Sequence, residues 1–254
     1  MYGLQLDQLA ELLGGGTIRQ ARALVGRWAK AGLAESAPLG PGPPWVWVTK
    51  AGLQACGVRY APAPPALARL AHIRAATAAR LALQAVPAYR DASAYWRSER
   101  RLRARLGGRL GARDHLPDAE VHWPDGTGVS WAGECWAIEA ERTAKTLART
   151  TAIMRELLAR TGDYGCPAAD ARVPGLPARH ARVLYLCSPA AVGTVLRARD
   201  TLGSLGARIE VRMLPPSAEM TPAQPLAASG TSAASETKAA SGTTAAAGIT
   251  RPRP

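Results

Sequence analysis

Residues 117–141 read PDAEVHWPDGTGVSWAGECWAIEAE. Two stretches in it, Asp118–Trp123 and Glu134–Glu141, alternate with period two, so they predict strands, and the Pro124–Gly128 region between them predicts a turn. In the first, Asp118, Glu120 and His122 share one side, opposite Ala119, Val121 and Trp123. In the second, Cys135, Ala137, Glu139 and Glu141 oppose Trp136, Ile138 and Ala140. Paired as a hairpin, the two strands bring Asp118, at the start of one, to Glu139 and Glu141, at the end of the other. Three carboxylates then meet at one edge of a sheet.

The charge around this stretch has the opposite sign. The 254 residues carry a net charge of +13, yet seven of the 19 acidic residues fall between Ala112 and Glu141. Residues 61–111 hold ten basic and two acidic residues, and residues 142–214 hold twelve and five. A basic surface seeks polyanions, and a patch of carboxylates inside it needs a cation to bridge the two. The pattern therefore points to nucleic acid and a divalent metal.

Outward from the hairpin, Arg182–Cys187 and Arg208–Leu214 predict two more strands. Between them the spacing predicts helices over Thr143–Ala159 and after Ser188-Pro189, a cap with proline at the first helical position. On the N-terminal side, a helix is expected from about Ala66 to Val86 and another from Ser93 to Gly107-Gly108. In the latter, Tyr95, Glu99, Leu102 and Leu106 form one inward stripe, so Glu99 needs an arginine or a metal as its partner. Arg97, Arg100, Arg101, Arg103 and Arg105 take the remaining faces, either as a solvated surface or as a bed for phosphates. The order α-β-β-α-β-α-β implies a mixed sheet with helices on both faces.

The first sixty residues have a different grammar. Leu6, Leu9, Leu12 and Leu13 recur at helical spacing up to Gly14-Gly15-Gly16. Thr17 caps a second helix with Ile18, Ala21, Leu24, Val25 and Trp28 on its apolar side and Arg19, Arg22, Arg27 and Lys30 away from it, closing at Gly32. Trp45–Thr49 then alternates as a strand. Helix, tight turn, basic helix and β-wing is the order of a winged helix-turn-helix, in which Arg19, Arg22, Arg27 and Lys30 contact DNA. The bland alternative is a small helical module whose arginines face solvent. The customary preceding helix is missing, and packing back of the segment from Pro65 to Val86, or a late recorded start, would account for it.

Four regions follow: a winged helix over 1–60, a linker and connecting helix over 61–92, a mixed-sheet domain over 93–214, and a disordered Ala/Ser/Thr/Gly-rich tail over 215–254. No apolar stretch spans a bilayer and no signal pattern opens the chain, so a cytoplasmic protein without a membrane partner is expected. Cys56, Cys135, Cys166 and Cys187 form no Cys-x-x-Cys pair and the histidines show no ligand spacing. Neither a zinc site nor a disulfide framework is expected, and His115 and His122 read as surface or half-buried residues.

Glu99, Pro117-Asp118 and Glu139-Ala140-Glu141 resemble the PD-(D/E)xK phosphodiesterase superfamily. Within it, the winged helix followed by Pro-Asp and by Glu139-Ala140-Glu141-Arg142-Thr143 is similar to the replication-relaxation family, found largely on plasmids and integrative elements. The resemblance covers about residues 4–214. It implies a restriction-endonuclease-like fold of the α/β (α+β) class and a Mg²⁺- or Mn²⁺-dependent endodeoxyribonuclease. Asp118 and Glu139 would be metal ligands, Glu99 a supporting acid, and Glu141 with Lys145 a pair that positions water. The superfamily's customary lysine is Glu141 here, so Lys145 stands as a migrated substitute or the catalysis is lost. An active nuclease of plasmid replication or transfer, a catalytically inactive nuclease-fold DNA-binding protein of replication control, and an unrelated carboxylate–arginine network all remain open. DNA is the expected partner, a homodimer is possible, and no small-molecule cofactor is expected.

Overall fold

Two sheets organise the chain, and one long helix packs against both. The computed structural model describes residues 3–58, 61–106, 115–159 and 180–219, all within one compact unit, Met1–Ala223.

The N-terminal sheet has three antiparallel strands, β1 (Leu4–Gln5), β2 (Ala34–Ala37) and β3 (Trp45–Val48), in the order β1-β3-β2. Against it lie α1 (Leu6–Leu12) and α2 (Ile18–Lys30). Thr17 caps α2: its Oγ1 accepts from the Gln20 amide at 3.2 Å, while Gln20 Oε1 accepts from the Thr17 amide at 2.7 Å. This reciprocal box satisfies two amides that a helix start leaves without partners. Leu6, Leu9, Ala21, Val25 and Val46 close the core between helices and sheet. The alternation at Trp45–Val48 was legible, whereas β1, of two residues, is too short to show a period and β2, Ala-Glu-Ser-Ala, carries no β-branched or aromatic residue to mark it.

A short α3 (Lys50–Ala55) follows, and then α4 (Leu70–Ala85). The helix α4 packs back against the N-terminal sheet and α1. Leu70 and Ile73 of α4 bury Trp45, and the Gln8 amide nitrogen donates to the Arg74 carbonyl at 2.9 Å. The Arg74 guanidinium, itself buried, is bidentate to Asp7 at 2.8 and 3.1 Å and donates to the Glu219 carbonyl at 2.8 Å.

The second sheet is mixed and five-stranded, as expected for the α/β class. Its strands are β4 (Tyr95–Ser98), β5 (Ala119–His122), β6 (Cys135–Glu141), β7 (Arg182–Cys187) and β8 (Ile209–Met213), in that order. The first three run antiparallel and the last three parallel. Parallel neighbours need a crossover. The helix α7 (Leu147–Ala159) lies between β6 and β7 in sequence, and α8 (Pro189–Asp200) between β7 and β8. Both pack on the face bearing Ala137, Val183, Tyr185 and Ile209. The opposite face, with Val121, Trp136, Ile138 and Leu184, is covered by α4 and by α5 (Pro87–Asp91). Helices therefore flank both faces, and every residue of the central strand β6 is buried.

Four expectations need correction. The helix expected from Ser93 starts only at α6 (Glu99–Leu106), and β4 precedes it. Ser93 sits at φ 51°, a left-handed turn that ends α5 and redirects the chain, and the aromatic Tyr95-Trp96 pair suits a strand. Tyr95 and Glu99 thus do not share a helix stripe. The helix after β6 starts at Leu147 instead of Thr143, because Thr146 Oγ1 accepts from the Arg149 amide at 3.2 Å and opens it there. Ser188 precedes α8 but does not cap it with its side chain: its hydroxyl donates instead to the Arg142 carbonyl at 2.6 Å. The tail expected from residue 215 begins with a 3-10 turn, Pro216–Ala218, in which Ala218 packs on Ala75 and Ala78 of α4. Residues 220–254 lie outside the described residues.

Candidate carboxylate site at the sheet edge

Ladder register decides the site. Ala119 pairs with Ile138 and Glu120 with Ala137, which sets Asp118, one residue before β5, across from Glu139. The Ala140 amide donates to Asp118 Oδ2 at 2.9 Å, holding the carboxylate against β6. Glu141 lies two residues on, on the same side of the strand. Glu99 enters as the first residue of α6, its amide donating to the Asp118 carbonyl at 2.8 Å. Asp118, Glu139, Glu141 and Glu99 are therefore gathered at one end of the sheet, as the hairpin implied.

Each of these carboxylates has a basic side chain as its partner. Glu99 is held by Arg69 at 2.8 Å and by Arg103 at 2.7 Å. Asp118 Oδ1 meets His72 Nε2 of α4 at 2.8 Å, and Glu139 Oε1 meets His115 Nε2 at 2.7 Å. Glu141 accepts from Lys145, which stands in the segment between β6 and α7 and not on the helix. A cleft open to solvent reaches Asp118 and Glu99 past His72, Ile73, Thr77 and Trp96.

The electrostatics differ from group to group. Burial pushes the Glu139 carboxyl up to about 7, helped by the Asp118 charge and opposed by the hydrogen bond from His115. The bond to Asp118 raises His72, against the opposing effect of burial. For His115 burial acts downward, but the bond to Glu139 and the charges of Asp118 and Glu156 carry it above its ordinary value. Beside Glu139 in the ladder, Tyr185 is buried, its hydroxyl has no hydrogen-bond partner among the described residues, and burial with the charges of Glu139 and Glu141 pushes it well above its usual range. A buried hydroxyl without a partner beside two carboxylates is a place where a polar ligand would gain a contact. The oxygen donors of Asp118 and Glu139 suit a hard divalent cation.

His72, His115 and Tyr185 were missed by sequence reasoning. His115, three residues ahead of Asp118, offered a signal that was set aside for want of ligand spacing. His72 lies 46 residues from Asp118 and offered none. The arginines expected on the outer faces of a helix also divide differently: Arg97 and Arg100 are buried, and Arg101 and Arg103 are exposed. Arg105 lies where side chains are outside the described residues.

On the N-terminal sheet's side, Arg19, Arg22, Arg27 and Lys30 are all exposed along α2, and among the described residues none pairs with a carboxylate. No described helix is long and apolar enough to cross a membrane. No protein-family model, no curated protein and no solved structure matches this chain.

Proposed function

We propose that this chain is a cytoplasmic DNA-binding protein of plasmid or mobile-element replication or transfer, and a Mg²⁺- or Mn²⁺-dependent endodeoxyribonuclease of the PD-(D/E)xK type. The observation that carries the reading is the opposition of Asp118 and Glu139 across the β5–β6 edge, with Glu139 lifted to about 7. A carboxyl in that condition is short of a nearby positive charge.

Asp118 and Glu139 would hold the metal. A bound Mg²⁺ would polarise a phosphoryl oxygen and lower the pKa of a coordinated water. Around it, Lys145 and Glu141 are already paired and placed to orient water. Arg69 and Arg103 hold Glu99 beside Asp118, where it can act as a supporting acid. The exposed cations of α2 supply phosphate contacts of the kind a winged helix makes, and these position a duplex without reading its sequence.

The second reading, a nuclease-like fold that only binds DNA, is favoured by one specific feature. Every carboxylate at the edge already has an arginine, histidine or lysine as hydrogen-bond partner, so the cluster holds together without a metal. Under that reading Glu99 and Glu139 should both be tied to arginines such as Arg142; for Glu139 this is not so. Its partner is instead His115, whereas Glu99 does pair with arginines.

Supercoiled plasmid separates the two readings, incubated with the wild-type protein, Asp118→Asn and Glu139→Gln in Mg²⁺, Mn²⁺ or chelator. The nuclease requires nicking by the wild type that depends on metal and is lost in both variants while DNA binding persists. Binding in chelator that weakens with salt, with no nicking on any plasmid substrate, selects the binding protein.

A further inference from the structure

A second polar cluster lies on the same face of the sheet, deeper in the protein than the carboxylate edge. Glu120 of β5 is fully buried, and around it stand Arg97 of β4, His122 of β5, Cys135 at the start of β6 and His180 just before β7, all buried. Arg97 meets Glu120 Oε2 at 3.2 Å, His122 Nε2 meets the same oxygen at 3.0 Å, and His180 Nε2 meets Oε1 at 2.9 Å. Cys135 Sγ lies 3.7 Å from His122 Nε2.

The hydrogen bonds restrict what His180 can be. Its Nδ1 faces the Leu157 carbonyl at 3.0 Å, and a carbonyl only accepts, so Nδ1 carries the hydrogen. In neutral imidazole that leaves a lone pair on Nε2, aimed at a carboxylate oxygen. Two lone pairs at 2.9 Å repel unless a cation lies between them, and the cation is either a proton or a metal ion. An imidazole that donates its far nitrogen to a backbone carbonyl is also how a metal-ligating histidine is oriented.

One ligand atom from each of Glu120, Cys135 and His180 lies within 4.8 Å of the others. Metal–ligand bonds of about 2.0–2.3 Å in a tetrahedral zinc shell put neighbouring donors roughly 3.3–3.8 Å apart, so the Glu120–His180 and Glu120–His122 pairs, at 2.9 and 3.0 Å, open slightly around an ion while any wider separations close on it. We propose that Glu120, Cys135 and His180, with His122 as fourth ligand, form a buried structural zinc site that joins β5 and β6 to the segment entering β7.

Nitrogen and sulfur donors select zinc over magnesium. Enclosure on all sides leaves no open position for substrate, which marks a structural centre. Charge balances as well. Without metal the cluster holds Glu120⁻, Arg97⁺ and one shared proton on His180, with Cys135 as a thiol. Zinc entry releases that proton and the thiol proton, so two positive charges leave and two arrive. His122 only exchanges its hydrogen from Nε2 to Nδ1. Arg97 remains on the Glu120 carboxylate as its outer hydrogen-bond partner. The inference does not depend on the nuclease reading, since none of its residues belongs to the carboxylate edge.

Metal analysis by inductively coupled plasma mass spectrometry on the full chain, expressed in zinc-supplemented medium and desalted, should find one zinc per chain. Asp118→Asn and Glu139→Gln should retain it, while Cys135→Ser and His180→Ala should lose it. To keep the test independent of how the last two variants fold, wild type and a Cys56→Ser/Cys166→Ser chain are also stripped of metal and refolded with Co²⁺. Both should show thiolate-to-cobalt absorption. A folded chain with no zinc and no such absorption overturns the site, as does zinc that persists in folded Cys135→Ser.

Discussion

Glu139 shows how a single side chain records its surroundings. Its carboxyl is pushed up to about 7 from an ordinary 4.5, because burial and the Asp118 charge disfavour ionisation. The sign follows from linkage: between pH 4.5 and 7 the folded chain binds more protons at this group than the unfolded chain, so its contribution to stability falls as pH rises through that window. Glu139→Gln removes the penalty. In chelator, urea unfolding should find the variant more stable than wild type at pH 8, by on the order of 3 kcal/mol at most, with the advantage gone by pH 4.5. A variant equally destabilised at both values would mean that the His115 contact outweighs the cost of the buried charge. His115 itself illustrates why a residue escapes a reading by spacing: its partner across the sheet edge is set by ladder register, and spacing along the chain carries no such information.

At the scale of elements, the junction between β3 and α3 is the tightest in the N-terminal sheet. Thr49 donates its amide to the Leu33 carbonyl at 3.0 Å and its hydroxyl to the Gly32 carbonyl at 2.6 Å, and its Oγ1 accepts from the Gly52 amide at 3.1 Å. A Cβ on Gly52 would overlap the Leu33 carbonyl oxygen and the Val48 side chain. Leu33 is fixed by the helix end at Gly32 and cannot retreat, so Gly52→Ala should cost roughly 1–3 kcal/mol in urea unfolding despite the better helix propensity of alanine. An unchanged midpoint would show that α3 slides freely on the sheet. The second sheet teaches a complementary lesson. Periods of two in residues 118–123 and 134–141 identify β5 and β6 outright, whereas Ala94–Ser98 was absorbed into an apparent helix stripe. Tyr95 and Glu99 are spaced as helix neighbours, but a left-handed Ser93 and an open ladder edge on β5 override that local pattern.

On the scale of the whole molecule, Arg74 connects what composition divides. It is buried and reaches Asp7 of α1, the Gln5 side chain and the Glu219 carbonyl, joining the N-terminal sheet, α4 and the chain beyond β8. Truncating it leaves Asp7 partly buried without its cation. Arg74→Ala should therefore lower stability by roughly 3–5 kcal/mol and expose residues 215–219 to proteolysis in the native state. Retention of wild-type protease resistance would show that the Ala75, Ala78 and Ala218 packing suffices alone.

What the sequence determined by itself was the set of elements with a strong period and the carboxylate edge that follows from them. Asp118, Glu139 and Glu141 meet because alternation and one hairpin leave them no other arrangement, and local rules of that kind are written in neighbouring residues. The strand order, the packing of α4 over both sheets and the partners of each carboxylate were decided only in tertiary structure. So was the gathering of Glu120, Cys135 and His180, residues separated by as many as sixty positions. Their proximity depends on which strand lies beside which, and that is settled by burying apolar faces from distant parts of the chain against one another.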